Sequence, residues 1–426
     1  MKNVFRKSLS PPPIREIENV HLPQPLIFEL DNGIPVYDSR LGTEDVLKME
    51  MVFEAGRPQE KKRLASRVTN QMLKEGAGSR SAAEIAETVD FYGGTLGTPV
   101  NLDNSSVVLF SMKKYFHELL PLVAEVVSEP LFKEEELVSY LKRSKQKLLV
   151  DLSKNDVVAY RSITQEIFGE SHFYGYNSTP QLYETITRAD IVSHHADFYG
   201  SNNCKIFISG KTDDQMISLL NRHLGKILRP VKMPAITAPP IPPVQSPIKI
   251  DMEGSVQNAI RIGCHLFNRN HPDYCGMFVL NTILGGYFGS RLMASIREEE
   301  GYTYNIYSNI DAMMHDGYFY IATEVGNEFV EPTLKQIYFE MERLKNELVG
   351  ADEMRMVRRY LLGNMLTMLD GPFNVSDVLK TLLSEGASTD HFDTLIQTIK
   401  TIQPQEIQAL AQKYFQREKM WEVIVG

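Results

Sequence analysis

The chain has 426 residues, of which 43% are hydrophobic and 23% charged, with a net charge of −9 and a pI near 5.7. That length accommodates two or three domains, each able to bury a substantial core. The acidic balance argues against nucleic acid or anionic membrane as a main partner, and no run reaches the ~20 apolar residues of a membrane helix.

The first 25 residues are proline-rich and read as an extended arm. Lys2, Arg6 and Lys7 are followed by Ser-Pro-Pro-Pro rather than an apolar stretch, so the start does not read as a signal peptide. Residues 26–29 and 34–37 flank Asp31-Asn32-Gly33, a hairpin signal because Asn and Gly tolerate positive φ. Leu47, Met49, Met51 and Phe53 alternate with Lys48, Glu50 and Val52, which predicts a strand with one face on a core. Residues 64–73 carry Leu64, Val68 and Met72 on one helical stripe, with Gly76 as a stop. Ser81 and Glu84 form a capping-box pattern that opens a further helix. A strand is predicted over 105–112, and helices over 116–127 and 134–149. Strands and helices in mixed order give an α+β class.

Residues 227–247 hold seven prolines without helical or strand periodicity, as a semi-rigid linker does. The segment after the linker is similar to the segment before it. The helix–strand unit 190–210 aligns without a gap on 406–426, at a constant offset of 216 positions, and Thr185-Ile186 falls on Thr401-Ile402 at the same offset. The expected organisation is an arm (1–25), an N-terminal domain (26–226), the linker (227–247) and a similar C-terminal domain (248–426). Chance similarity of two helix–strand units is the alternative.

The three cysteines, Cys204, Cys264 and Cys275, sit in no metal-ligand spacing and read as buried thiols in a reducing compartment. The ten histidines form neither H-x-x-E-H nor H-E-x-x-H. The adjacent His194 and His195 point in different directions on a helix, so they read as core and surface residues rather than ligands.

The hairpin Leu30-Asp31-Asn32-Gly33-Ile34-Pro35-Val36, the strand end Ala55-Gly56 and the helix after it resemble the pitrilysin/insulinase-type zinc peptidases. So do Tyr174-Gly175-Tyr176 with Ile186-Thr187-Arg188-Ala189-Asp190, the run Gly285-Gly286-Tyr287-Phe288-Gly289-Ser290-Arg291-Leu292, the run Arg297-Glu298-Glu299-Glu300-Gly301-Tyr302-Thr303-Tyr304, and Arg358–Gly363. The resemblance covers roughly residues 25–426. It implies two similar tandem domains, each a mainly antiparallel sheet packed with helices. Active members of that family carry H-x-x-E-H on the first helix, where histidines at i and i+4 reach one Zn²⁺ and the Glu serves as general base. Here, aligned through Met72-Leu73, the ligand positions hold Arg67 and Gln71, and the base position holds Asn70. Arg cannot bind zinc and Asn cannot accept a proton from water. The third ligand, a Glu roughly 75 residues downstream, has no counterpart, because no Glu occurs from Leu137 to Gln165.

The resemblance further implies that Arg297 and Tyr304, spaced seven apart, match an Arg/Tyr pair that binds substrate opposite the metal. A guanidinium holds a carbonyl or carboxylate, and a phenol donates to a developing oxyanion. A surface arginine paired with Glu298–Glu300 and a sheet-packed tyrosine is the plainer alternative. The resulting expectation is a zinc-free subunit with no metal or cofactor of its own. It would act on a peptide substrate together with a zinc-bearing H-x-x-E-H partner in a heterodimer, or as a homodimer. A cytoplasmic location is expected, a trimmed leader apart. The alternatives are a scaffold or peptide-binding homologue without a role in proteolysis, and an enzyme with an unfamiliar site.

Overall fold

A computed structural model describes residue 17 and residues 19–426. Residues 1–16 and 18 of the expected arm lie outside the described residues; of the remainder, Ile17, Val20 and Leu22 pack against the core of the second half.

The first half runs β1 (Leu26–Glu29), β2 (Pro35–Ser39), β3 (Val46–Phe53), α1 (Ala65–Met72), the two-residue strands β4 (Gly76–Ala77) and β5 (Arg80–Ser81), and α2 (Ala82–Phe91). It continues through β6 (Thr95–Gly97), β7 (Ser105–Met112), α3 (Phe116–Ser128), α4 (Glu134–Asp151), α5 (Asn155–Phe168), α6 (Pro180–Thr185), α7 (Arg188–Phe198), β8 (Cys204–Gly210) and α8 (Asp214–Leu224). The second half comprises β9 (Ile248–Ile250), β10 (Gln257–Leu266), α9 (Tyr274–Leu284), a π-helical turn (Met293–Glu299), β11 (Ile306–Ala312) and β12 (Gly317–Gly326). It ends with α10 (Val330–Asn346), α11 (Ala351–Met368), α12 (Pro372–Ser384), α13 (Asp390–Thr401), α14 (Pro404–Tyr414) and β13 (Trp421–Val425).

Several of these elements arise from local chemistry. The Asp31-Asn32-Gly33 turn, with Gly33 at φ +82°, joins β1 to β2 in an antiparallel pair. Ser81 and Glu84 exchange the two bonds of a capping box at the start of α2. Helix α1 stops at Met72, and Gly76, read as its stop, instead opens β4.

The two sheets repeat one topology. The first has strand order β1-β2-β8-β3-β7-β6, and the second, taken from its other end, β9-β13-β10-β12-β11. In each, a single parallel pair (β2 with β8, β9 with β13) interrupts antiparallel pairing. Helix α7 and α14 occupy Arg188–Phe198 and Pro404–Tyr414, so the 216-residue offset read in the sequence joins equivalent elements.

Each sheet carries its own half's helices on one face. The other face is covered by a helix from the opposite half. Helix α5 lays Ala159, Ile163, Ile167 and Phe168 on the second sheet, against Ala259, Tyr320, Trp421, Val423 and Val425. Gly263 in β10 permits that approach, since a Cβ there would stand 2.5 Å from the Phe319 carbonyl oxygen and 3.3 Å from Ile167. Reciprocally, Val375, Leu379 and Leu382 of α12 join a core that reaches Val52 and Phe207 of the first sheet, and Phe373 meets Phe110 edge-on at 5.7 Å. Burial of each such large side chain stabilises by about 1.5–3 kcal/mol.

This exchange corrects the reading of β3. Alternation predicts one buried face, yet every residue from Leu47 to Phe53 is buried. Lys48 and Glu50 point away from the first core and into the seam. There Lys48 Nζ meets Asp377 at 2.5 Å, Lys380 Nζ meets Glu50 at 3.1 Å, and Lys48 lies 3.4 Å from Glu50. A polar residue on an alternating strand signals solvent only when nothing else covers that face; here α12 brings complementary charges to it.

The network generates a stability prediction. Lys380→Ala leaves the Glu50 carboxylate, only 3% exposed, with Lys48 alone. We expect a loss of about 3 kcal/mol, the scale for breaking a buried pair from one side, read as a lower urea midpoint. The double replacement Glu50→Leu with Lys380→Met should recover most of it.

Candidate functional site

Helix α1, which carries the family's metal positions, is entered through Leu64 in a left-handed conformation (φ 73°) without a side-chain cap. Half-buried Glu60 takes the cap's place. Its Oε1 accepts the Ser66 N–H at 2.9 Å and the Ser66 hydroxyl at 2.5 Å, and its Oε2 accepts the Tyr176 hydroxyl at 2.5 Å. A carboxylate at a helix N-terminus answers both the free N–H groups and the dipole. Arg57 stacks 4.3 Å over the Tyr176 ring and donates to the Tyr176 carbonyl at 2.9 Å. This bracket explains the Tyr174-Gly175-Tyr176 segment as a structural clamp on α1, which sequence reasoning did not assign; Glu60 carries no motif that would have flagged it.

Along α1, Asn70 is fully buried and every polar atom it has is engaged. Its amide N–H₂ faces the carbonyls of Thr98, Pro99 and Ser106 at 3.0, 2.7 and 3.0 Å, and its carbonyl accepts the Tyr199 hydroxyl at 3.0 Å. Three carbonyls fix which end of the amide points where. Gln71 donates to the Thr98 carbonyl at 2.6 Å. Arg67 is exposed on the same helix face, beside the Tyr140 hydroxyl of α4, which also meets Ser144.

These residues do not fit a zinc ion. The base position is surrounded by carbonyl oxygens that would repel a carboxylate, and the first ligand position holds a permanent cation. Among the described residues no three His, Cys, Asp or Glu side chains converge in a metal-holding group.

His194 and His195 are both tied to backbone. His194 Nε2 lies 3.1 Å from the Ala55 carbonyl, at the end of the Ala55-Gly56 strand, and His195 Nε2 lies 2.8 Å from that of Val127. Burial pushes the His194 pKa down to about 4 and lowers that of His195. His194 is a buried core residue, and His195 is half-buried with its ring turned to the Val127 carbonyl rather than to solvent.

In the second half, Arg297 sits in the π-helical turn and Gly301, at φ +69°, turns the chain back. Arg297 Nε then donates to the Tyr304 carbonyl at 3.1 Å, and its guanidinium lies 4.7 Å over the Phe288 ring. Glu298 is only a distant partner at 3.8 Å. The structure thus brings Arg297 and Tyr304 together, but through the tyrosine's backbone; its ring is 94% exposed, as is 63% of Phe288. Tyr304 is therefore not packed on the sheet. Beside the pair, a cavity of 430 Å³ lies between Gly285–Phe288 and Asn305–Asn309, against β11, the edge strand of the second sheet. Phe288 belongs to this rim and was not singled out from the sequence, although it stands inside the glycine-rich run.

These contacts lead to two measurable outcomes. Asn70→Asp is isosteric and places negative charge among three carbonyls; it should destabilise by about 2–3 kcal/mol in denaturant unfolding, with Asn70→Glu worse. For the histidines, folding favours the neutral form, whereas the unfolded chain takes up a proton near pH 6.5. Stability is therefore held above pH ~6.5 and lost as pH falls toward the folded value of about 4 for His194, at up to ~1.4 kcal/mol per pH unit per histidine. His194→Gln should flatten that slope in unfolding titrations between pH 7 and 4.5.

Residues 185–361 match the profile of the family described as Peptidase M16 inactive domain. The chain is 20% identical over 307 residues to an uncharacterized zinc protease, YmxG, of Bacillus subtilis, covering 72% of this chain and 74% of that protein. It is 23% identical over 307 residues to the non-peptidase homolog YmxG of Helicobacter pylori, covering 67% and 69%. The crystal structure of a peptidase M16 inactive domain from Pseudomonas fluorescens superposes with a TM-score of 0.87 at 22% identity, over 94% of this chain and 98% of that one. Fold, repeated halves, glycine-rich run and the profile match over residues 185–361 make this chain similar to the pitrilysin/insulinase-type (M16) peptidases, and its sequence contains no H-x-x-E-H.

Proposed function

We propose that this chain is the zinc-free subunit of a two-chain peptidase. It binds and orients a peptide for a partner of the same family that bears H-x-x-E-H, holds the zinc and hydrolyses the peptide. The observation that carries the reading is the contrast between the two sites. Asn70 and Gln71 are spent on backbone carbonyls, whereas half-buried Arg297 with exposed Phe288 and Tyr304 forms a rim beside a cavity and an edge strand. A guanidinium there can hold a peptide carbonyl or carboxylate, and a free phenol can donate to oxygen that gains charge during hydrolysis.

The exchanged helices support a second polypeptide. Since α5 and α12 seal the sheets of one chain together, a chamber between them would have to break two apolar seams. A chamber completed by another chain leaves both intact. No helix of the described residues is long and apolar enough to cross a membrane, and the three cysteines are free and buried, which fits a reducing compartment such as the cytoplasm. A scaffold role is the second reading, favoured by the non-peptidase name of the H. pylori relative.

Co-purification from the native source, followed by reconstitution of the pair, tests the proposal. Arg297→Ala or Tyr304→Phe should lower turnover by ~10²-fold or more, the scale of one lost oxyanion donor, with assembly intact. Chelator should abolish cleavage by the pair, and the chain alone should leave peptides uncut. Normal turnover in both variants would favour the scaffold reading.

A further inference from the structure

The position that holds a zinc ligand in active relatives presents a fixed positive charge here, and it is not alone. Tyr140, Arg143, Ser144 and Lys147 follow one another at three- and four-residue steps on α4, so they share one face of that helix. Arg67 of α1 reaches the same face, where the Tyr140 hydroxyl lies against both Ser144 and the Arg67 guanidinium. Arg67, Arg143 and Lys147 are exposed. Among the described residues no ion pair joins any of the three to a carboxylate; Asp151, one turn beyond Lys147, is held by Lys154 at 2.9 Å. The neighbouring Lys145 is paired with Glu184 of α6, outside this stripe. In α4 no acidic residue lies between Glu136 and Asp151. A patch of three cations without a direct ion pair, of which Lys147 feels Asp151 only at longer range, is a local reversal of the field of a chain of net charge −9.

We infer that Arg67, Arg143 and Lys147, with the Tyr140 and Ser144 hydroxyls between them, form a binding site for the carboxylates of an acidic peptide segment. The guanidinium of Arg67 offers planar paired donors to one carboxylate. Arg143 and Lys147, about one turn apart on α4, can meet a second. Hydroxyls between the cations supply further donors without adding charge. The site rests on the reading that a peptide is this chain's ligand, and it gives that peptide a sign: acidic residues are favoured where it passes α1 and α4, and basic ones are repelled. The patch spans little more than two helical turns, which suits a short acidic segment better than a nucleic-acid backbone.

The test needs the purified full chain alone. Three fluorescent twelve-residue peptides that differ only in carrying four Glu, four Gln or four Lys are titrated by anisotropy, together with a labelled single-stranded oligonucleotide. The Glu peptide should bind roughly tenfold more tightly than the Gln peptide, the scale of two or three exposed ion pairs. The Lys peptide should be weakest, and the preference should fade as salt rises. Arg67→Glu with Lys147→Glu should abolish the preference. If the double variant misfolds, Lys147→Glu alone, on an exposed helix face, should still reduce it severalfold. Equal binding of the Glu and Gln peptides, a preference unchanged in folded variants, or tighter binding of the oligonucleotide would overturn the inference. No partner enters this assay, so its failure leaves the two-chain proposal standing, and failure to find a zinc-bearing partner leaves this result unaffected.

Discussion

Each of the two sheets has a face that its own half cannot cover, and the other half supplies the helix that covers it. Everything else in the molecule is arranged around this reciprocal loan of α5 and α12. A half excised from the chain would expose one side of a sheet lined by Phe207 and Val52, or by Trp421, Val423 and Tyr320. Neither half is therefore a complete hydrophobic unit, even though each repeats the other's topology. The charges inside the seam reflect the same constraint. Lys48 and Glu50 lie on a strand face that would be wet in an isolated half, and they are tolerated because Asp377 and Lys380 arrive with the covering helix.

That arrangement limits where function can sit. With the inner faces consumed, the surfaces left for ligands are those on which the molecule has placed unpaired polar and aromatic groups. One is the α1–α4 face, where Arg67 is exposed; the other is the rim of Phe288, Arg297 and Tyr304 beside β11. One lies in each half, and neither contains a catalytic constellation.

What could be read from the sequence was what local chemistry decides. Asn32-Gly33 specified the hairpin, Ser81 with Glu84 specified the start of α2, and the 216-residue offset exposed the repeat. The lack of an H-x-x-E-H run was equally legible, because a missing sequence pattern needs no geometry. The second buried face of β3 was not legible: the helix that covers it lies some 330 positions downstream, and alternation carries no record of a distant partner. Nor could the seven-residue spacing of Arg297 and Tyr304 say that contact runs through a carbonyl while the ring stands in solvent. For Asn70 the sequence showed what had been lost, and only the fold shows what replaced it, since the groups that engage it come from residues 98, 99, 106 and 199.

The α1 positions that the resemblance aligns with a zinc motif are more than vacant. A decayed site would leave side chains without partners, or a cavity where the metal and its water had been. Here Asn70 stitches three carbonyls and a tyrosine into the core, Gln71 adds a bond to one of the same carbonyls, and Arg67 lies against the Tyr140 hydroxyl. Glu60, Tyr176 and Arg57 then clamp the helix that bears them. Recovering a metal site would require imidazoles at 67 and 71 and a carboxylate at 70. That carboxylate would face three carbonyl dipoles pointing at it the wrong way. The three substitutions oppose the packing together, so no single step improves metal binding without first costing stability.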